Sequence, residues 1–176
     1  EWQTGDSRKW IHWRTTARLG EPAVRQFEQQ RRFDTCIVVD AFCADPESDE
    51  NVELAISLSA TFLTQLSSSP SNRMVLACAG TASSAVIGGG STAGKRSMLE
   101  LLSELEHSPT PDVQAAITKS TQIVGRGQDL LIISPRSLEE ATAENDALRR
   151  CCEPWMRTGS FRWINVSGRE LDQWVA

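Results

Sequence analysis

Three near-continuous apolar runs limit what this chain can fold into: TCIVVD (Thr35–Asp40), MVLACAG (Met74–Gly80) and DLLIIS (Asp129–Ser134). A strand with one wet face alternates apolar and polar residues. A run that does not alternate needs cover on both faces, the condition of central strands in a parallel sheet. SAVIG (Ser84–Gly88) follows the second run after a Gly/Thr/Ser turn, placed to pair with it as a hairpin, and FRWINV (Phe161–Val166) completes the set. AVRQFEQ (Ala23–Gln29) does alternate and reads as an edge strand.

Helix signals fill the gaps between these runs. Ser97–Glu100, Ser137–Glu140 and Ser167–Glu170 each match the S-x-x-E capping box, in which a serine oxygen and a glutamate carboxylate satisfy orphan amides. A further helix is expected to open at Pro111 and to carry Val113, Ala116, Ile117, Ser120, Ile123 and Val124 along one stripe. The segment from about Asn51 to Ser67 is apolar around much of its girth, which predicts a helix lying deep against the sheet. Strands alternating with helices make an α/β fold with a mostly parallel, Rossmann-type sheet. Ligands of such sheets sit beyond the carboxyl ends of the strands, where the strand order reverses. Asp40 and the Ser134-Pro135-Arg136 turn fall at such ends.

A length of 176 residues suits one globular unit. The sequence opens without methionine, at EWQTGDSRKW, and reads as a piece of a longer chain. The net charge of −5 conceals an asymmetry: residues 1–32 hold seven basic groups against four acids, leaving −8 for the rest. So acidic a body is a poor partner for nucleic acid. No apolar run approaches the ~20 residues of a membrane span, so membrane contact is expected only through segments outside this sequence. The five cysteines match no zinc spacing, and Cys36 and Cys78 lie inside strand runs. They read as reduced, structural thiols in an intracellular setting.

Asp40 poses the functional question. An acid at a strand end often holds a metal, but Phe42 and Ala44 stand where a cation would want hydroxyls. Asp45, Glu47, Asp49 and Glu50 follow, suited to the positive end of the helix they precede. Gly88–Ser97 (GGGSTAGKRS) nearly forms a phosphate loop, with Gly89, Gly94 and Lys95 in register, but Arg96 displaces the serine that should reach Mg²⁺. His12 and His107 are the only histidines, the latter expected at a helix end, and no G-x-S-x-G elbow is present. Trp10 and Trp13 share a face if their segment is helical, and would clamp the basic segment to the sheet.

The stretch GDSRKWIHWRTTARLGEPAVRQFE, followed by a strand ending in Asp40, resembles the signature of the bacterial family called domain of unknown function 58. Its residues here are Gly5, Asp6, Ile11, Trp13, Arg14, Ala17, Arg18, Val24, Arg25, Phe27, Glu28 and Asp40, with Arg8 or Lys9 at the family's remaining basic position. The resemblance implies a von Willebrand factor A-like fold and a non-enzymatic role. It also implies a cytoplasm-facing domain of a membrane-anchored protein that works with MoxR-type AAA+ ATPases. That fold's adhesion site needs Asp-x-Ser-x-Ser, a loop threonine and a later acid, because Mg²⁺ wants six oxygens with few direct carboxylates. Here the run is Asp40-Ala-Phe-Cys-Ala44, Pro135 replaces the later acid, and Thr110 is the nearest candidate threonine.

These readings divide the chain into a basic, tryptophan-bearing segment at 1–34, packed on the main domain, and a von Willebrand factor A-like domain at 35–176. They predict a protein-interaction module without enzymatic activity, catalytic residues, metal or cofactor. Its partner would meet either the strand-end face (Asp40, Phe42, Arg136) or the segment bearing Trp10, Arg14 and Arg18. The alternatives are nucleotide binding through Gly89, Gly94 and Lys95, and Mg²⁺-dependent ligand binding through Asp40 and Thr110.

Overall fold

Among the described residues five strands form one sheet in the order β3-β2-β1-β4-β5. The computed structural model describes residues 13–20, 35–45, 49–67, 73–124, 128–143 and 145–168. In chain order these residues form α1 (Trp13–Leu19), β1 (Thr35–Asp40), α2 (Glu50–Leu66), β2 (Arg73–Ala79), β3 (Ser83–Gly89) and α3 (Thr92–Ser103). Then follow α4 (Val113–Val124), β4 (Asp129–Ser134), α5 (Leu138–Thr142), α6 (Asp146–Thr158) and β5 (Phe161–Asn165). The chain divides into two compact units, Glu1–Arg31 and Arg32–Ala176. The first contributes α1, which ends at Gly20 in the left-handed conformation, where the Gly20 amide donates to the Thr16 carbonyl. The alternating segment Ala23–Gln29, Trp10, and the Arg169–Glu170 half of the Ser167–Glu170 box lie outside the described residues.

Strand β1 is parallel to β2 on one side and to β4 on the other, and β4 is parallel to β5. Among the described strands only β2 and β3 run antiparallel, as the hairpin expected of SAVIG. The apolar runs are double-faced, as their lack of alternation demands. Along β1, Cys36 and Val38 join a core with Val113, Ile117, Leu148 and Trp155 of α4 and α6. Ile37 and Val39 join the opposite core with Ala55, Leu63, Met98 and Leu102 of α2 and α3. All four β1 residues are fully buried. At ~25 cal/mol per Å² of apolar surface, such a strand supplies much of the sheet's driving force.

Three helix expectations need correction. The Ser97 box does not start a helix: Ser91 caps α3 by accepting from the Gly94 amide, so Ser97 falls inside the helix. A serine placed directly after the strand captures the first free amides, and the later box has none left to satisfy. Pro111 likewise precedes its helix, because Asp112 accepts from the Ala115 amide and α4 begins at Val113. Helix α2 buries only the stripe Val52, Ala55, Ser59 and Leu63, while Leu54 stays 42% exposed. Ser59 tolerates burial by donating its hydroxyl to the Ala55 carbonyl at 2.6 Å. The Ser137 box forms in full and opens α5, and a cap at Asn145, which accepts from the Leu148 amide, then starts α6.

Candidate functional site

The strand order reverses between β1 and β4, so the crevice at their carboxyl ends is where an open α/β sheet places a ligand. Asp40 ends β1 and Ser134 ends β4. Both are fully buried. The Ser134 hydroxyl donates to Asp40 Oδ2 at 2.8 Å. Arg136, two residues on, folds back so that its Nε–H donates to the same oxygen at 3.0 Å. Its backbone amide donates to the Ser134 hydroxyl at 3.1 Å, which closes a small ring of three residues. The ion pair is sheltered: 19% of the Arg136 side chain and none of the Asp40 side chain is exposed.

Phe42 holds the guanidinium from the other side. The Arg136 Cζ lies 4.2 Å from the centroid of its ring, a cation–π stack. Phe42 is placed by backbone, since the chain beyond β1 continues pairing. The Ala41 amide donates to the Ala79 carbonyl, the Ser108 amide to the Ala41 carbonyl, and the Cys43 amide to the Ser108 carbonyl. Phe42 and Ser108 thereby form an isolated parallel bridge. Behind the turn, the Trp163 indole of β5 donates to the Arg136 carbonyl at 2.9 Å, and the Val166 amide to the Ser134 carbonyl. The loop carrying Arg136 is therefore anchored on both sides.

Burial pushes the Asp40 carboxyl above the usual carboxylate range, while Arg136, Ser134 and the Phe42 amide pull it part of the way back. Its second oxygen, Oδ1, is buried and makes no hydrogen bond of ordinary geometry to a described residue. In front of the pair opens a cleft of about 500 Å³, lined by Phe42, Cys43, Asp45, Pro135, Arg136 and Glu140 among others. A second cleft of about 410 Å³ lies at the opposite, amino ends of the strands, beside Thr35, Asp129 and Leu131. The first has the charged cluster.

Of the residues singled out from sequence, Asp40, Phe42 and Arg136 come together. Thr110 does not join them: it is exposed, and its amide donates to the Ser108 hydroxyl. Among the described residues no group of three or more His, Cys, Asp and Glu side chains is arranged to hold a metal. A cation at Asp40 would compete with a guanidinium already bonded to Oδ2. Asp45, Asp49 and Glu50 do precede or open α2, though the Asp49 side chain makes no capping bond.

The glycine-rich stretch has another explanation. Among the described strands β3 is the antiparallel edge, and Gly90 and Ser91 alone separate it from α3. Gly94 and Lys95 are helical. A Cβ on Gly94 would meet the Gly89 amide and the Ser91 hydroxyl at 3.0 Å each, so glycine there lets the helix start sit on the strand end. Arg14 and Arg18 are exposed on α1. His107 is not at a helix end but four residues past α3, next to the Ser108 bridge.

The sequence model of the family described as Protein of unknown function DUF58 matches residues 1–149. The chain belongs to this family. No curated protein matches it. The DUF58 match takes in Asp40, Phe42, Ser108, Ser134 and Arg136, whereas Trp163, which anchors the Arg136 turn, lies beyond it. Sequence reasoning placed the Ser134-Pro135-Arg136 turn at a strand end but missed the Ser134 bond to Asp40. The signal was a hydroxyl ending an otherwise apolar run. Ser108 and Trp163 gave none, because the first acts through backbone pairing with the extension of β1 and the second through an indole bond across from β5, and both depend on which segments the fold brings together.

Proposed function

We propose that this DUF58 chain is a non-enzymatic protein-interaction module of von Willebrand factor A type whose strand-end site works without a metal. One observation carries the reading: the charge of Asp40 is met inside the fold by Arg136, itself stacked on Phe42. The face so built presents an aromatic ring, a guanidinium and an adjoining cleft, the residue types that dominate protein interfaces. The family resemblance supplies the class of partner, a MoxR-type AAA+ ATPase, for which the module would act as an adaptor at the cytoplasmic side of a membrane. Among the described residues no helix is long and apolar enough to cross a membrane, so anchoring would rest on other parts of the protein.

The test is binding of the chain to a MoxR-type ATPase encoded beside it, measured by biolayer interferometry with and without EDTA. The expected result is saturable binding, unchanged by EDTA and weakened roughly tenfold or more in Phe42→Ala, as for an interface hot spot. Binding that requires Mg²⁺, or that ignores both Phe42 and Arg136, contradicts the reading.

A further inference from the structure

We propose that the outer edge of the Arg136 guanidinium is a recognition site for a single carboxylate, an aspartate or glutamate side chain presented by the partner. This rests on the strand-end face being the interaction surface. Arg136 carries five N–H donors. One, on Nε, is used by Asp40. The two Nη atoms, with four more, make no hydrogen bond to any described residue, although the side chain is four-fifths buried. A sheltered cation with its terminal fork unmatched is the donor set that a carboxylate accepts in two parallel bonds.

The fork is also held in place. Asp40 fixes Nε, Phe42 covers one face of the plane, and Trp163 fixes the backbone carbonyl behind it. A side chain already immobile loses little entropy when it binds, so weak contacts gain in effect. Arg136 itself lines the 500 Å³ cleft, which gives a side chain room to approach.

The acids of the lining decide which anions fit. Asp45 and Glu140 share the cleft, and with Asp40 they outnumber Arg136 by three charges to one. That balance works against any anion and most against phosphate and other multiply charged ones, so a singly charged group that takes both free Nη atoms is the anion that fits best. A basic side chain is the competing occupant. Its acceptors, however, are partly engaged: Glu140 Oε2 takes the Ser137 amide at 2.7 Å as half of the capping box, and Asp45 is not without a partner. Unmatched donors outweigh partly engaged acceptors, and the carboxylate is the ligand of choice.

The test is an NMR titration of the whole chain with three end-blocked tripeptides, Gly-Glu-Gly, Gly-Gln-Gly and Gly-Lys-Gly, at matched ionic strength. The Arg136 Nε–H and the Ala44 and Arg136 amides are followed. The glutamate peptide is expected to give saturable shifts in the millimolar range, and the other two none. Arg136→Lys keeps a charge beside Asp40 but lacks the fork, and should weaken the response roughly tenfold, the loss expected of a charge-assisted bond. Arg136→Gln checks the same point if the lysine variant folds poorly. No saturable shift with the glutamate peptide, or binding of the lysine peptide in its place, overturns the proposal. Loss of ATPase binding with an intact peptide response would overturn only the adaptor reading.

Discussion

Replacing Arg136 with methionine isolates the ion pair. The substitution keeps an unbranched stem against Phe42 and removes the charge, leaving Asp40 fully buried with the Ser134 hydroxyl and the Phe42 amide as its partners. Breaking a buried pair from one side typically costs ~3–5 kcal/mol. Here a proton sets a ceiling. Asp40 can neutralise, and holding a proton on a carboxyl of ordinary pKa ~3.9 costs ~1.4 kcal/mol per pH unit above that value. The loss is thus at most about 4 kcal/mol at pH 7 and about 1.5 kcal/mol at pH 5. Because burial already raises Asp40 in the parent protein, the measured losses fall below these ceilings.

The sign follows from linkage. A carboxyl with a raised folded pKa binds its proton more tightly in the native state. Its contribution to stability is complete below the unfolded pKa and is lost as pH rises through the folded one. Without Arg136 the folded value moves higher and the decline extends further. Urea unfolding of parent and variant from pH 4 to 8 should show curves that meet at the acid end and diverge above it. At pH 7 the ceiling corresponds to roughly 8–16 °C in melting temperature for a chain of this size. A loss that is the same at pH 5 and pH 7 would refute the reasoning, because it would mean that Arg136 does not face an ionised Asp40.

Phe42→Ala should lower stability by about 2 kcal/mol, the cation–π contribution plus half-buried area, in the same urea assay; a loss of about 4–5 kcal/mol would make Phe42 a core residue. Gly80→Ala should cost more than the ~1–3 kcal/mol of ordinary overpacking, because its Cβ would lie 2.1 Å from the Glu106 carbonyl oxygen. A melting temperature equal to the parent's contradicts that close approach. Burial pushes the thiols of Cys36 to about 11 and of Cys78 and Cys152 to about 12. At pH 8 these three should resist iodoacetamide in the native protein and react after unfolding, as mass spectrometry of the labelled peptides will show; fast native labelling of Cys78 counts against its place in the sheet.

The strands were the most legible part of this sequence. TCIVVD and DLLIIS became β1 and β4 residue for residue, because a strand covered on both faces leaves an unbroken apolar signature that little else produces. Helix starts were harder. At Ser97 and Pro111 the local chemistry was right, but a competing cap at Ser91 or Asp112 lay closer to the place where the chain leaves the preceding element. The near-phosphate loop misled because glycine spacing has two causes: close approach to a phosphate, or close approach of a helix to its own strand. Only the tertiary contact at Gly94 separates them. At the site, Asp40 and Arg136 could each be placed at a strand end from sequence. Their bond could not, since it spans 96 positions and depends on β1 lying next to β4.

The central claim is that Arg136 supplies the positive charge Asp40 requires. Manganese titration tests it most directly, with paramagnetic broadening of the Arg136 Nε–H and neighbouring amides followed in the parent chain and in Asp40→Ala. The account predicts weak, non-saturating broadening that is alike in both proteins. Saturable broadening centred on Arg136 and abolished by Asp40→Ala would show that the carboxylate binds a metal ion, and would contradict it.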